Sequence, residues 1–359
     1  MAISRSNLQL FLFVLTCSID NVLSLENHTA LFFFGDSIFD VGSNNYLKNG
    51  IKANFFPFGE TFFKYPTGRF CDGRIIPDFI AEYAKLPFIP PYYYCEPTNF
   101  QMLMNGVNFA SSGSGALVET RRGRAMDLKT QLNDFKKMKE QLRQKLGDEE
   151  TNTLISNAVF SFSVGTNDYI AAAFPQSFVS RDEELVEIVI GNITDVIKEI
   201  YKEGGRKFAY VNVGPFDCAP PARARSPDGG CLEQLTAAFK LHNQKIPTVL
   251  QDLQSELHGF KYANFDFNKA FSERINNPSQ YGFKEGKAAC CEDRPYRGLG
   301  NCGKNNGTIR FYELCDNPNE YVFFDVHPTE KANEQFGELI WNGGVDYISP
   351  INFKKLFEA

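Results

Sequence analysis

The stretch Ala30-Leu31-Phe32-Phe33-Phe34-Gly35-Asp36-Ser37 determines the fold class predicted for this chain of 359 residues. An apolar run stops abruptly at the polar turn of residues 35–37. A run that is apolar on both faces predicts a strand buried in a parallel sheet. Ligands of open α/β sheets bind just beyond the carboxyl ends of such strands. Ser37 therefore lies where a nucleophile would belong, although an ordinary turn after a buried strand explains this stretch equally well.

Four further strand-like segments follow, and segments with helical periodicity separate them. The predicted strands lie near residue 31 and at residues 102–110, 158–164, 207–213 and 261–266, and the predicted helices span residues 74–85, 127–146, 184–201, 232–257 and 328–341. Strands that alternate with helices predict βαβ units and one parallel sheet. Residues 275–320 have the composition of a loop. Without a composition break or flexible linker, residues 25–359 are predicted to form a single domain.

The beginning of the chain has the pattern of a secretion signal. Arg5 precedes an apolar run at residues 8–17, which is too short to span a bilayer. We predict cleavage near Ser24, so that residues 1–24 form the signal peptide. The mature protein is then secreted and extracellular, without a transmembrane segment. The formal net charge of −6 and the lack of a basic stripe argue against nucleic acid as a partner.

Cysteine usage agrees with an oxidising compartment. Eight cysteines remain after Cys17 leaves with the signal, and this even number predicts that they pair. Proximity favours a bridge between Cys218 and Cys231 and at least one bridge within residues 290–315. Acceptor triplets for N-glycosylation, which also fit secretion, occur at Asn27, Asn192 and Asn306.

Small polar clusters end three of the predicted strands, at residues 35–37, 111–115 and 165–168. In a parallel sheet all three would lie at the same edge. Acyl transfer requires such a set, because it needs a hydroxyl nucleophile and amide donors for the oxyanion. Glycine lets a backbone N–H approach a substrate closely. The side chain of Asn167 adds a further donor.

A serine nucleophile also needs a base, and the chain contains only four histidines. His28 lies in a glycosylation triplet, His242 lies inside the long predicted helix, and His258 follows the far end of that helix beside Gly259. Only His327 follows a strand-like run, at residues 321–324, with Asp325 close by. His327 is therefore the predicted base, although a histidine at a helix start can also serve only as a cap or a packing residue.

Other catalytic classes lack their motifs. Ser37 is not part of a Gly-x-Ser-x-Gly elbow, and the chain has no Walker loop, dinucleotide-binding fingerprint or His-Glu-x-x-His pair. We therefore expect no cofactor and no metal. Asp217 and Asp266 could form the carboxylate pair of a glycoside hydrolase, although acids at strand ends are more often caps.

Five blocks of sequence resemble the plant GDSL esterase/lipases of the SGNH hydrolase superfamily. In chain order they are FGDSIFDVGSNN at residues 34–45, PTGRFCDGR at 66–74, GVNFAS at 106–111, GTND at 165–168 and HPTEKAN at 327–333. The resemblance implies a flavodoxin-like, three-layer α/β/α sandwich with a five-stranded parallel sheet. It also implies hydrolysis of carboxylic esters by a Ser-His-Asp triad.

Carried over residue by residue, the resemblance makes Ser37 the nucleophile, His327 the base and Asp325 the acid. The oxyanion hole would contain the Ser37 amide, the Asn167 side chain and one glycine of the second polar cluster. This glycine is Gly113 or Gly115, because the Gly-Ser-Gly run leaves the register open.

The last block departs from the family pattern. The family reads Asp-x-x-His, whereas Asp325 and His327 are separated by one residue. Pro328 favours an extended His327, and residues i and i+2 of an extended chain project to the same side. The two side chains are therefore still expected to meet.

Two functions follow from these observations. The first is a secreted serine esterase or lipase that acts on a small-molecule or lipid ester. The alternative is a catalytically weakened GDSL-fold protein that binds a lipid, a glycan or a partner protein through the aromatic residues 55–63 and 92–94. Acyl chain length and oligomeric state are not predicted.

Overall fold

The structure is a computed structural model that describes residues 28–94, 100–174, 182–291, 295–297, 302–303 and 312–359. The predicted signal peptide, the predicted glycosylation sites Asn27 and Asn306, and Cys95 lie outside these residues. Asn192 is exposed on a helix. None of the helices in the described part of the chain combines the length and the apolarity needed to cross a bilayer.

The strands and helices alternate along most of the chain. The strands are β1 Leu31–Gly35, β2 Gly106–Asn108, β3 Val159–Ser163, β4 Lys207–Val211, β5 Lys261–Phe265, β6 Glu285–Ala289, β7 Tyr321–Phe323 and β8 Ile348–Pro350. The helices are α1 Ile76–Tyr83, α2 Phe100–Met104, α3 Leu128–Leu146, α4 Asp148–Asn157, α5 Thr166–Ala173, α6 Asp182–Lys202, α7 Pro220–Arg223, α8 Glu233–Glu256, α9 Phe267–Asn276, α10 Glu330–Asn342 and α11 Phe353–Phe357.

The main sheet has six strands in the order β2-β1-β3-β4-β5-β8. The first five are parallel, as the family resemblance implies, and β8 adds an antiparallel edge to β5. The expected count of five strands was therefore one short. Only the first of the three residues of β8 is buried, and the strand contains Pro350, so its sequence lacks a strand pattern.

Two local predictions were wrong. Residues 285–289 are not loop, because β6 pairs with β7 in a separate two-stranded sheet. The strand predicted over residues 102–110 is limited to β2, and α2 takes its first part.

A ladder of aromatic rings fills one face of the sheet. Phe32, Phe160 and Phe208 lie in register on β1, β3 and β4, with ring centroids 5.2 and 5.7 Å apart. Phe135 of α3 covers the ladder edge-on, 5.5 Å from Phe160. Offset and edge-to-face rings each add stabilisation beyond their buried area. This packing holds β1, β3 and β4 together, and the candidate site lies beyond the carboxyl ends of β1 and β3.

Two groups of helices flank the sheet. Helices α3, α6 and α8 pack together in one group, and α1, α9, α10 and α11 form the other. In the second group, α10 starts at Glu330, three residues after His327, with Thr329 as its N-cap. The position of His327 is therefore tied to a packed helix.

Disulfides join Cys218 to Cys231, Cys290 to Cys315 and Cys291 to Cys302. These bonds confirm the pair and the segment favoured by proximity. The expectation that all eight cysteines pair is wrong for Cys71, which is buried as a free thiol. Its sulfur contacts Asp72 and Asn333 instead, in the space between the loop before α1 and helix α10.

Candidate active site

The end of β1 bends sharply and presents Ser37 to a cleft. Gly35 has φ +134°, and a Cβ at this position would lie 1.9 Å from the Ser163 carbonyl oxygen of β3. Only glycine fits such a close approach. Asp36 Oδ1 then accepts the backbone N–H of Ile38 at 3.1 Å, which forms an Asx turn. The turn places the half-buried Ser37 beyond the end of the strand.

Ser37, His327 and Asp325 form one chain of hydrogen bonds. Ser37 Oγ lies 2.8 Å from His327 Nε2, and His327 Nδ1 lies 2.9 Å from Asp325 Oδ1. The same Asp325 oxygen accepts the backbone N–H of His327 at 2.8 Å. With the proton on Nδ1, the ring leaves Nε2 free to accept the serine proton. This arrangement can activate a hydroxyl as a nucleophile.

The chain reaches this geometry by a bend and not by the extended backbone expected from Pro328. Residues 324–327 form the bend, and the Phe324 N–H donates to the His327 carbonyl at 2.8 Å. An aspartate side chain readily bonds the backbone N–H two residues later. The Asx turn of Asp325 therefore replaces the extended arrangement. Such a turn requires that the histidine be two residues after the aspartate.

The two glycines of the second polar cluster have different surroundings. Gly113 lines the cleft with φ +84°. Gly115 is packed against the buried Asp168. A Cβ added to this glycine would lie 2.1 Å from Asp168 Oδ1. Within the described part of the chain, the Ser37 and Gly113 N–H groups have no hydrogen-bond partner. Both amides are therefore free to donate.

Asn167 follows β3 at the same edge of the sheet. Its Nδ2 donates to the Ser114 carbonyl at 3.0 Å and makes a long contact of 3.4 Å with Asp36 Oδ2. Since strong N–H···O bonds are near 2.9 Å, the second contact is weak. The structure thus brings the Asn167 amide, Gly113 and Ser37 to one cleft, of about 320 Å³.

Gln131 is a supporting residue that the sequence did not reveal. It is buried in α3, where its Oε1 accepts the Gly35 N–H at 2.8 Å and its Nε2 donates to the Gly35 carbonyl at 2.9 Å. The same Nε2 lies 3.0 Å from Ser114 Oγ. Gln131 therefore fixes the first two polar clusters relative to each other. No sequence signal indicates this, because a lone glutamine on a helix face has no motif.

Phe70 is a second missed residue. Its ring lies 5.1 Å from the His327 imidazole and also lines the cleft. It comes from the second block of family resemblance, at residues 66–74, and Asp72 of that block accepts the Glu330 N–H at the start of α10. The sequence signal that could have found Phe70 is its place within residues 66–74, a segment that contains a proline and two glycines.

His242 lies behind the third polar cluster and not in the cleft. Its Nδ1 is 2.7 Å from Tyr169 OH and its Nε2 is 2.9 Å from Tyr210 OH. Tyr210 OH donates to the Val164 carbonyl, so Nε2 must donate to Tyr210. Burial lowers the pKa of His242 to about 3, which keeps the ring neutral.

Buried carboxylates hold the loops around the cleft. Asp168 accepts the N–H groups of Ala116 and Leu117, and burial raises its pKa to about 6. Burial likewise raises the pKa of Asp40 to about 6 and the pKa of Asp36 to about 7. Burial therefore favours the protonated form of Asp36 beside Ser37.

The carboxylates considered for glycoside hydrolysis lie in a different cleft, of about 410 Å³. Asp266 caps α9 by accepting the Lys269 N–H at 3.0 Å. Asp217 accepts the Thr236 hydroxyl at 2.5 Å, and both acids are thus engaged within the protein. Among the described residues Asp217 also groups with Cys218 and Cys231, but their disulfide removes the thiolates that a metal would need.

Comparison with known proteins shows the family to which the chain belongs. The family model described as GDSL-like Lipase/Acylhydrolase matches residues 31–340. The chain belongs to this family. It is 49% identical over 348 residues to GDSL esterase/lipase 1 of Arabidopsis thaliana, with 95% of this chain and 93% of the relative covered. It is 48% identical over 340 residues to a GDSL lipase of Tanacetum cinerariifolium, with 94% of this chain and 90% of the relative covered.

A more distant likeness is to the solved structure of phospholipase A1 from Streptomyces albidoflavus NA297. That likeness has a TM-score of 0.36 at 14% identity and covers 87% of this chain and 97% of the other. As a GDSL-like lipase/acylhydrolase, the chain is an enzyme of the carboxylic ester hydrolase class.

Proposed function

We propose that the protein is a secreted, glycosylated serine esterase or lipase in which Ser37, His327 and Asp325 are the catalytic residues. The observation that carries this proposal is the 2.8 Å contact between His327 Nε2 and Ser37 Oγ. The three disulfides support secretion, because such bonds persist in oxidising compartments. The exposed Asn192 is a glycosylation site in this proposal, and residues 1–24 are the signal that is removed.

Acylation begins when Ser37 Oγ attacks the ester carbonyl carbon and His327 Nε2 takes the hydroxyl proton. The carbonyl oxygen becomes an oxyanion, which the N–H groups of Ser37 and Gly113 and the Asn167 Nδ2 stabilise. His327 then gives the proton to the departing alcohol, and an acyl-enzyme ester on Ser37 is left. Asp325 stabilises the imidazolium that forms between these steps.

Deacylation repeats the sequence with water. His327 Nε2 removes a proton from a water molecule, and the resulting nucleophile attacks the acyl carbon. Collapse of the second oxyanion releases the carboxylic acid, and His327 returns its proton to Ser37 Oγ. The reaction uses side chains and backbone amides throughout.

A fluorophosphonate probe tests the proposal. The folded protein is expected to lose esterase activity as one equivalent of probe attaches to Ser37, which peptide mass spectrometry identifies. The Ser37→Ala variant should take up no probe and hydrolyse no ester. Ser255→Ala, which changes an exposed serine of α8, is the control and should label like the natural protein. Failure of the folded natural protein to label at Ser37 would overturn the proposal.

The alternative of a catalytically weakened binding protein rested on the shortened Asp325 block. The contacts of His327 Nδ1 with Asp325 and of His327 Nε2 with Ser37 argue against that alternative. Tyr92 packs beside the core, 5.3 Å from Phe109, so this part of the loop is structural, whereas Tyr93 and Tyr94 are exposed. The catalytic function is therefore the one we propose.

A further inference from the structure

The cleft in front of Ser37 continues into an apolar arm of about 240 Å³. Ile170, Phe216 and Val326 line both the cleft and the arm, so the two spaces are continuous. Leu235 and Ala222 close the far part of the arm and are themselves buried. An arm with such a lining takes up an acyl chain by the hydrophobic effect, at roughly a fourfold gain in binding for each buried methylene.

Two arginines, Arg121 and Arg225, lie where the cleft meets the arm, because both line each space. In the part of the chain that the structure describes, no ion pair involves either guanidinium group. Arg225 donates from one nitrogen at 2.8 Å to the carbonyl of Pro221, which also lines both spaces. Two cations thus flank the substrate path without a protein counter-charge.

Arg121 also lies beside the oxyanion donors. An added Cβ on Gly113 would lie 3.5 Å from Arg121 Cγ, so the arginine stem runs along this glycine. Its backbone has φ +52°, a left-handed conformation that a residue with a side chain rarely adopts. Residues in such conformations are concentrated at sites that bind ligands.

The electrostatic surroundings of Arg121 favour an added anion. Arg121 is exposed to solvent in part, and partial desolvation and the positive charge of Arg124 lower the pKa of its guanidinium. The acids that line the cleft are Asp36 and Asp325, and both are bonded elsewhere, to Ile38 and to His327. A planar guanidinium without a protein partner is well suited to bind phosphate or carboxylate oxygens.

We propose that the substrate is an anionic ester, with an apolar acyl chain in the arm and a phosphate or carboxylate group bound by Arg121 and Arg225. The inference rests on the proposed esterase function and narrows its substrate class. The anion would lie close to the scissile carbonyl, because Arg121 adjoins Gly113. Binding of this group positions the carbonyl against Ser37.

The test uses three decanoyl esters whose alcohols differ only in the terminal group, which is phosphate, carboxylate or hydroxyl. Released decanoate is measured below the concentration at which each ester aggregates. The natural protein is expected to prefer at least one anionic ester over the hydroxyl ester by about tenfold or more in kcat/KM. The better of the two anions identifies the group that the site binds.

Variants of the arginines give the second readout. Arg121→Gln and Arg225→Gln should each lower the preference for the anionic ester several-fold, mainly through KM, and the double variant should remove it. Arg225→Lys, which keeps the positive charge, should retain part of the preference that Arg225→Gln loses. Arg122→Gln changes an exposed arginine of the same turn that does not line the cleft, and this control should keep the full preference.

Two results would overturn the inference and leave the esterase function intact: equal kcat/KM for all three esters, or an unchanged preference in the double variant. A different result would overturn the proposed esterase function itself, and with it this inference: the natural protein hydrolyses none of the three esters and Ser37 is not labelled.

Discussion

Asp325 Oδ1 accepts two hydrogen bonds from His327, one from the backbone N–H at 2.8 Å and one from Nδ1 at 2.9 Å. One carboxylate oxygen thus sets both the turn of the chain and the orientation of the ring. The same kind of turn occurs after β1, where Asp36 bonds the Ile38 N–H, and after β2, where Asn108 bonds the Ala110 N–H. Short polar side chains therefore shape three of the loops that form the site.

Insertion of one glycine after Val326 is the first prediction. It restores the family spacing but breaks the Asx turn, which needs a spacing of two. We expect no gain in kcat and a fall toward that of Asp325→Asn, because loss of the oriented acid lowers kcat by about 10⁴ in serine proteases. Ester hydrolysis at matched protein concentration checks this. A rise of orders of magnitude would show that the natural spacing impairs the enzyme.

Much of the site could be predicted because its signals are local. The run of phenylalanines before Gly35 marks β1, the polar residues after it mark the turn, and elimination among four histidines selects His327. The structure brings Ser37, His327, Asp325 and Asn167 together at the predicted sheet edge.

The remainder depends on contacts between distant residues. Gln131 bonds Gly35 across 96 residues, and the choice of Gly113 over Gly115 depends on Asp168, more than fifty residues away. The arginines at the mouth of the arm belong to loops whose path no periodic pattern specifies. Strand β8 was not predicted, because an edge strand of three residues that includes a proline has almost no buried face.

The second prediction concerns Gln131→Leu. Leucine fills the space but leaves the Gly35 N–H without its acceptor, whereas the Gly35 carbonyl keeps the Ser111 N–H as a donor. An unsatisfied buried polar group costs about 1–3 kcal/mol, so we expect a loss of about that size in the free energy of unfolding. A loss of tenfold or more in kcat should accompany it, because the turn before Ser37 loosens. Urea denaturation and ester hydrolysis measure the two effects.

Gln144→Leu is the matched control, because Gln144 is an exposed residue of the same helix. Its effect on the free energy of unfolding should stay within about 0.5 kcal/mol. Similar small effects in both variants would mean that the Gly35 contacts do not stabilise the site.

The third prediction follows from the pKa of Asp36, which burial raises from 3.8 to about 7. Because the pKa is higher in the folded state, the folded protein holds this proton more tightly. The resulting stabilisation is present below pH 3.8 and is lost as pH rises through about 7. At 1.36 kcal/mol per pH unit, ionisation of Asp36 should lower the free energy of unfolding of the natural protein by roughly 2–3 kcal/mol between pH 5 and 8.

Asp36→Asn should remove this pH-dependent loss. Urea denaturation at pH 5 and at pH 8 gives the difference for the variant, for the natural protein and for Asp148→Asn, whose side chain is exposed. The exposed control should follow the natural protein. Parallel pH dependence in all three proteins would show that Asp36 is ionised throughout this range.

The last prediction concerns the buried contact of His242 with Tyr169. Burial lowers the pKa of His242 to about 3, so its ring nitrogens should keep the chemical shifts of a neutral imidazole between pH 5 and 8. In His242→Phe the hydroxyl of Tyr169 loses its acceptor, which should cost about 1–3 kcal/mol of the free energy of unfolding. A Cβ on Gly165 would lie 3.1 Å from His242 Cε1, so the ring supports the turn before Asn167. We therefore also expect a lower kcat.

His258→Phe is the control, because His258 is exposed beyond the end of the same helix. This variant should change neither the free energy of unfolding nor kcat measurably. A His242 signal that titrates between pH 5 and 8, or a fully active His242→Phe variant, would contradict the prediction.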